Sequence, residues 1–155
     1  MSLESVRAFL AERAPDVAIV PLERGSETMS LAAAWNVKPA QIAKSLVLRA
    51  GGADLLLLAC GDSRLDNAKA KAAFGGRAKM LPPDEAAALT GHPVGGVCPF
   101  GLATPLPVYC DVMLQACGEV VLGAGATHAV LRIEPRRMAA LAGANWVDVC
   151  EGLPT

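Results

Sequence analysis

Lys44-Ser45-Leu46-Val47-Leu48-Arg49-Ala50-Gly51-Gly52-Ala53-Asp54-Leu55-Leu56-Leu57-Leu58-Ala59-Cys60 carries two apolar runs on either side of a glycine pair. The run that follows Lys44 contains the β-branched Val47 and reads as a buried strand, and Leu55 to Cys60 is apolar without interruption. A strand covered on both faces has no polar side to alternate with, so continuous apolar character over so short a length is its mark. Ala50 to Asp54 has the composition of a turn. The stretch therefore predicts a β-hairpin at the centre of a sheet.

Upstream of it, Pro39 is placed to open a helical turn, which leaves Lys44 at an element boundary. Its side chain either projects into a cleft at the start of the strand or is an ordinary surface lysine. Leu3, Val6, Phe9 and Leu10 recur at helical spacing behind Ser2 and stop before Pro15. Val17 to Leu22 reads as a short strand held to an edge by Pro21, and Ser26 or Thr28 can cap a helix running to Trp35. Downstream, Asp66 caps a helix that Gly75-Gly76 stops, Arg77 to Leu81 fits a short strand, and Pro82-Pro83-Asp84-Glu85 opens a helix that ends at Gly91. Leu106–Cys110, Glu119–Leu122, His128–Ile133 and Trp146–Val149 read as further strands, with a helix from Pro135 to Leu141. Strands outnumber helices and several are joined by turn-length connections. The fold class expected is α+β, a mixed and mostly antiparallel curved sheet flanked by helices.

Between the Gly91 helix end and the next strand lies Gly91-His92-Pro93-Val94-Gly95-Gly96-Val97-Cys98-Pro99-Phe100-Gly101. Its glycines and prolines exclude helix or central strand. At Gly95-Gly96 a ligand can approach bare backbone, so that successive N–H groups can face one oxygen, while Pro99 stiffens the loop. An anion cradle and a plain turn are both consistent with this composition. Neither a P-loop nor a Gly-x-Gly-x-x-Gly fingerprint is present. Cys98 is a nucleophile or a simple loop residue, and His92 and His128 are functional or structural, as far as the residues alone go.

The 155 residues suffice for one domain with a real core, over 1–155, built from many small aliphatic contacts because only six residues are aromatic. A formal charge of −1 provides no general field for nucleic acid, so any such contact is local, drawn from Lys44, Arg64, Lys69, Lys71, Arg77 and Lys79, unless those charges are merely a solvated face. Five cysteines without a C-x-x-C pair or zinc spacing point to free thiols in a reducing compartment. Glu4, Arg7, Glu12 and Arg13 break any secretory h-region, and no apolar run is long enough to span a membrane. The expected location is the cytoplasm.

Three separated pieces then align: Ile42-Ala43-Lys44-Ser45-Leu46-Val47, the loop Val94 to Gly101, and Gly123-Ala124-Gly125-Ala126-Thr127-His128. In this order and spacing the chain resembles the YbaK-like, prolyl-tRNA synthetase-associated editing domains, from about the first strand to Asp148. The resemblance implies a freestanding aminoacyl-tRNA deacylase that hydrolyses the ester of a small amino acid wrongly attached to tRNA, with Ala-tRNA(Pro) foremost and Cys, Ser or Thr as further substrates. It implies no metal and no cofactor, and as partners the 3′ end of aminoacyl-tRNA and prolyl-tRNA synthetase or another translation factor. Monomer and homodimer both fit. Lys44 matches the family's functional lysine, Gly95 and Gly96 match the loop whose backbone meets the terminal ribose and ester, and Val97, Cys98 and Pro99, which continue that loop, are expected to bind substrate. His128 matches a histidine of the alanine-editing branches. Thr28, Met29 and Ser30 are expected at the pocket wall. The alternative from a different class is a non-catalytic module that binds charged tRNA ends or a synthetase. A third reading is a hydrolase of small aminoacyl esters unrelated to tRNA.

Overall fold

The computed structural model describes residues 2–21, 37–93, 96–126 and 128–152. The expected hairpin is its centre. Strand β2 (Ala43–Ala50) pairs antiparallel with β3 (Ala53–Cys60) through eight residue pairs, from Ala43 opposite Cys60 to Ala50 opposite Ala53. The turn tightens to Gly51-Gly52, with φ of 59° and 80°, so β3 starts two residues earlier than the apolar run suggests. Two successive positive φ angles are what a two-residue hairpin turn requires, and glycine adopts them without strain.

β3 is buried on both faces, which explains its unbroken leucines. Leu56, Leu58 and Cys60 enter one core, with Val6 and Leu10 of α1 (Ser2–Arg13), while Leu55, Leu57 and Ala59 enter a second core on the other side. β2 alternates in step: Ala43 and Val47 face the first core, Leu48 and Ala50 the second. Sheet order is β5-β2-β3-β6-β9, with β5 at Lys79–Met80, β6 at Val108–Asp111 and β9 at Asn145–Val147. β3, β6 and β9 run parallel, so the sheet is mixed. A second, antiparallel sheet is β1-β8-β7, with β1 at Ile19–Pro21, β7 at Val120–Gly123 and β8 at Ala129–Ile133, and one parallel bridge, Ile42 to Val121, joins it to the first.

Helices α2 (Asn67–Phe74), α3 (Pro83–Thr90) and α4 (Pro135–Ala142) form where their caps predict. The Asp66 carboxylate accepts from the Lys69 amide at 3.0 Å, and Gly75, Gly91 and Gly143 end the three helices in the left-handed conformation. The described part of the expected Val17–Leu22 strand is trimmed to Ile19–Pro21, and His128–Ile133 starts at Ala129. The helix expected from Ser26 or Thr28 lies outside the described residues. The expected Trp146–Val149 strand is observed as β9, which ends at Val147, and beyond it Cys150–Gly152 (β10) pairs with Ser63–Leu65 (β4). Two three-residue strands have no readable period of their own, and only their docking makes them a ladder.

Candidate active site

The glycine loop is fastened on three sides. His92 is fully buried and its ring Nε2–H donates to the Phe100 carbonyl at 2.9 Å, closing the loop from entrance to exit. A carbonyl can only accept, so Nε2 carries a proton. Phe100 stacks on Phe9 of α1 with ring centroids 5.0 Å apart, and the Ser5 hydroxyl donates to the Gly101 carbonyl at 3.0 Å. On the third side, the Gly125 amide donates to the Gly96 carbonyl at 2.9 Å. A segment so tied at 92, 96, 100 and 101 keeps its described backbone aimed, with little entropy left to lose when a ligand arrives.

Gly96 is required sterically. A Cβ there would lie 2.7 Å from the Ala126 backbone N and C, atoms that have no rotamer to swing away. Gly96→Ala is accordingly expected to destabilise the fold by about 1–3 kcal/mol through overpacking and to displace the loop from the 124–126 turn. Denaturant midpoints would check this, and a wild-type midpoint would show that the loop moves aside freely.

The loop and the turn preceding His128 are thus in contact, as two of the three sequence pieces. His128 itself is exposed at the entry to β8. Gly95, with Thr28, Met29 and Ser30, lies outside the described residues. The Gly96 amide, expected to face a ligand, donates to the Pro93 carbonyl at 2.8 Å. Val97 is half-buried, whereas Cys98 and Pro99 are buried beneath the loop. Burial pushes the Cys98 thiol up to about 12, which leaves almost no thiolate at neutral pH and removes it as a nucleophile.

Lys44 stands on the second-core face of β2, with Leu48 and Ala50, whereas Cys98 and Phe100 belong to the first core. Its ammonium donates to the Ser63 carbonyl at 2.5 Å rather than to the loop. Ser63 is itself placed by its hydroxyl, which donates to the Cys60 carbonyl at 2.8 Å, and by its pairing with Gly152. Among the described residues no carboxylate lies within ion-pair distance of Lys44, in contrast to Arg64 with Glu151 at 2.7 Å and Lys69 with Asp148 at 3.0 Å. Those two ion pairs neutralise part of the expected basic patch. Lys44 thus has no ion-pair partner among the described residues, at the start of β2.

Asp111 was not singled out by sequence reasoning. It is fully buried, accepts from Val149 N at 3.0 Å and Cys150 N at 3.1 Å through Oδ1, and from Met113 N at 3.0 Å through Oδ2. It thereby holds the strand that pairs with β4. A lone aspartate before an apolar stretch carried only a helix-cap signal, because the groups it binds 38 and 39 residues away come near it only in the fold.

Burial lowers the His92 pKa, and its Nδ1 has no hydrogen-bond partner among the described residues. The unfolded chain takes up this proton near 6.5 and the folded one only at lower pH. Stability contributed by the neutral ring is therefore complete above 6.5 and falls as the pH drops through the unfolded value toward the folded one. Unfolding midpoints are expected to decrease from neutral to mildly acidic pH, and His92→Gln, which retains a donor but cannot titrate, should flatten that slope. An unchanged slope in the variant would assign it elsewhere.

Among the described residues, no cluster of three or more His, Cys, Asp or Glu is placed to hold a metal ion, and no helix is long and apolar enough to cross a membrane.

The model of the aminoacyl-tRNA editing domain matches residues 23–141. The Bacillus subtilis protein YwhH, itself uncharacterised, is 37% identical over 154 residues, which cover 97% of this chain and 98% of that one. The proline–tRNA ligase of Solidesulfovibrio magneticus is 37% identical over 103 residues, 65% of this chain and 18% of the ligase. A crystal structure described as a candidate trans-editing enzyme for prolyl tRNA synthetase superposes with a TM-score of 0.89 at 35% identity, over 97% of this chain and 98% of the other. With the family model spanning most of the chain, and with the fold and a full-length relative in agreement, this protein belongs to the aminoacyl-tRNA editing domain family.

Proposed function

We propose that this protein is a trans-editing aminoacyl-tRNA deacylase, one editing domain that works in the cytoplasm and hydrolyses the ester of a small amino acid on the wrong tRNA, with Ala-tRNA(Pro) as its first substrate. The observation that carries the reading is the immobilised glycine loop held against the turn that precedes His128. The similarity to part of the proline–tRNA ligases supports the choice of tRNA. An aminoacyl ester is already activated, so positioning and charge stabilisation are enough to hydrolyse it without a covalent intermediate. Water adds to the ester carbonyl, and the tetrahedral oxyanion then expels the ribose oxygen, leaving free amino acid and a tRNA hydroxyl.

In this scheme the oxyanion donors are the amides flanking Gly96, those of Gly95 and Val97, since the Gly96 N–H is engaged with Pro93. Lys44 exchanges its neutral carbonyl partner for a phosphate or the ester oxygen at the tRNA end, and that exchange favours the charged partner. His128, exposed at the entry to β8, orients the attacking water or the substrate ammonium. Thr28, Met29 and Ser30 are assigned to the side-chain pocket, which separates substrates by size and discriminates a single methyl group by only about 1–3 kcal/mol. No metal or cofactor enters the scheme.

The test is release of amino acid from Ala-, Cys-, Ser- and Thr-tRNA, including tRNA(Pro) carriers. Turnover of one mischarged species is the expected result. Binding with protection of the ester would indicate a non-catalytic module instead, and turnover indifferent to the tRNA carrier would indicate a hydrolase of small esters.

A further inference from the structure

The outer edge of β2 has a gap at Ser45. The ladder with β3 fixes which way the backbone points there: Ile42 O accepts from Gly61 N at 2.7 Å, and Leu56 N turns away from β2 to Pro107 O at 2.9 Å. Ser45, opposite Leu58, therefore directs its N–H and C=O away from β3. On that outer side β5 pairs with β2 at Leu48 and Arg49, and Leu81 N donates to Val47 O at 3.0 Å. The chain then continues as Pro82-Pro83, which have no N–H to carry the ladder on to Ser45. From the other end, β7 meets β2 at the parallel bridge of Ile42 to Val121 and runs in the same direction into the 124–126 turn. Among the described residues no strand pairs with Ser45 on this edge.

The side chain is unclaimed as well. The Ser45 hydroxyl oxygen is buried and has no hydrogen-bond partner among the described residues, although the residue as a whole is only half-buried. Alternation along β2 sets Ser45 between Ala43 and Val47 on the first-core face, opposite to Lys44. That core also holds Cys98 and Ala124, with Val97 and Ala126 packed against it. The glycine loop and the 124–126 turn, joined by the Gly125–Gly96 bond, thus belong to the layer that Ser45 faces. A buried hydroxyl left without a partner lowers stability, so this position carries a polar atom that the described fold does not use.

We propose that Ser45 receives the α-ammonium of the amino acid carried by the tRNA, with its hydroxyl and its outer-edge carbonyl both acting as acceptors. The inference rests on the deacylase reading and adds to it the group that recognises the acyl part as an amino acid. The Lys44 ammonium and the amides beside Gly96 are all donors. Donors suit a phosphate, an ester oxygen or an oxyanion, whereas an ammonium needs lone pairs, and Ser45 offers them on two oxygens. One staggered step about χ1 turns the hydroxyl from its buried position toward the edge at which its own carbonyl points. With the ammonium held there, the His128 ring is left for the attacking water.

The experiment compares full-length wild type, Ser45→Ala and Ser45→Thr on tRNA(Pro) charged with alanine and on the same tRNA carrying lactate, in which a hydroxyl replaces the ammonium. In wild type kcat/KM should fall by about 10- to 10²-fold from alanyl to lactyl ester, the scale of one hydrogen bond to a charged group. Ser45→Ala should lose the same factor on the alanyl ester and little further on the lactyl ester, because both changes remove one contact. Ser45→Thr, which keeps the oxygen, should keep the preference for the ammonium. Ser45→Ala should also melt about 2–4 °C above wild type, since it removes an unpaired buried hydroxyl. An equal loss on both esters, a wild-type rate on the alanyl ester, or a lower Tm with unchanged preference would overturn the assignment. A second readout needs no turnover: calorimetric titration with 3′-(L-alanylamino)-3′-deoxyadenosine and its lactyl counterpart, whose amide stands in for the ester. Wild type should bind the alanyl compound about 10- to 10²-fold more tightly, and Ser45→Ala should bind the two alike. If wild type hydrolyses no charged tRNA, the deacylase reading fails, while this titration still decides Ser45: equal affinity of wild type for the two compounds, or none for either, overturns it.

Discussion

Replacing Lys44 by alanine is expected to lower deacylation of the mischarged tRNA by about 10²–10³, the usual effect of removing one well-placed donor from a developing anion. Stability should hardly change. The side chain is only half-buried, and its bond to the Ser63 carbonyl replaces one it would otherwise make with water. Lys44→Arg should also fail to restore the rate, because a planar fork does not superpose on a point charge held by a single carbonyl. The decisive comparison is between kcat and KM on tRNA and on a short aminoacyl ester that lacks the terminal phosphates. A loss confined to tRNA places the ammonium on phosphate, and an equal loss on both places it at the ester. A Lys44→Ala protein with nearly full activity would remove this residue from the mechanism, and the position of its side chain across β2 from the loop-bearing core would then be the reason.

Asp111→Ala should cost about 3 kcal/mol or more, because the buried Val149 and Cys150 amides and the part-buried Met113 amide lose their acceptor together. For a chain of this size that corresponds to a fall of about 6–12 °C in Tm. Asp111→Asn retains the shape and one acceptor oxygen but turns an NH₂ group toward a donor, so an intermediate loss is expected. The effect should reach function as well. Two of the three amides, Val149 N and Cys150 N, lead into β10, and β10 pairs with β4, whose Ser63 carries the Lys44 ammonium. Thermal unfolding followed by circular dichroism would measure the change, and a Tm within about 2 °C of wild type, worth less than 1 kcal/mol, would show that other acceptors replace the carboxylate.

The site was legible in part. Glycine at 96 and proline at 99 mark a stiffened loop in the sequence alone. What fastens the loop was not legible, because His92–Phe100, Ser5–Gly101 and Gly96–Ala126 unite residues whose separate signals are weak. His92, functional or structural on the residues alone, becomes the loop's clasp through its burial and its bond to Phe100. The expectation that the Gly96 amide faces a ligand met a local competitor, the Pro93 carbonyl, which a turn brings within reach at 2.8 Å.

Local information determined the elements. The unbroken leucines of β3, the glycine pair of the hairpin and the Asp66, Gly75, Gly91 and Gly143 caps each act within a few residues, and chain sterics, capping and burial period operate at that range. Tertiary structure alone decided the rest: that β10 leaves the line of β9 to pair with β4, that Lys44 rests on Ser63, and that Asp111 gathers amides from distant chain. Each of those contacts joins groups with no local partner, so its energy appears only after packing has brought them out of water and leaves them no alternative.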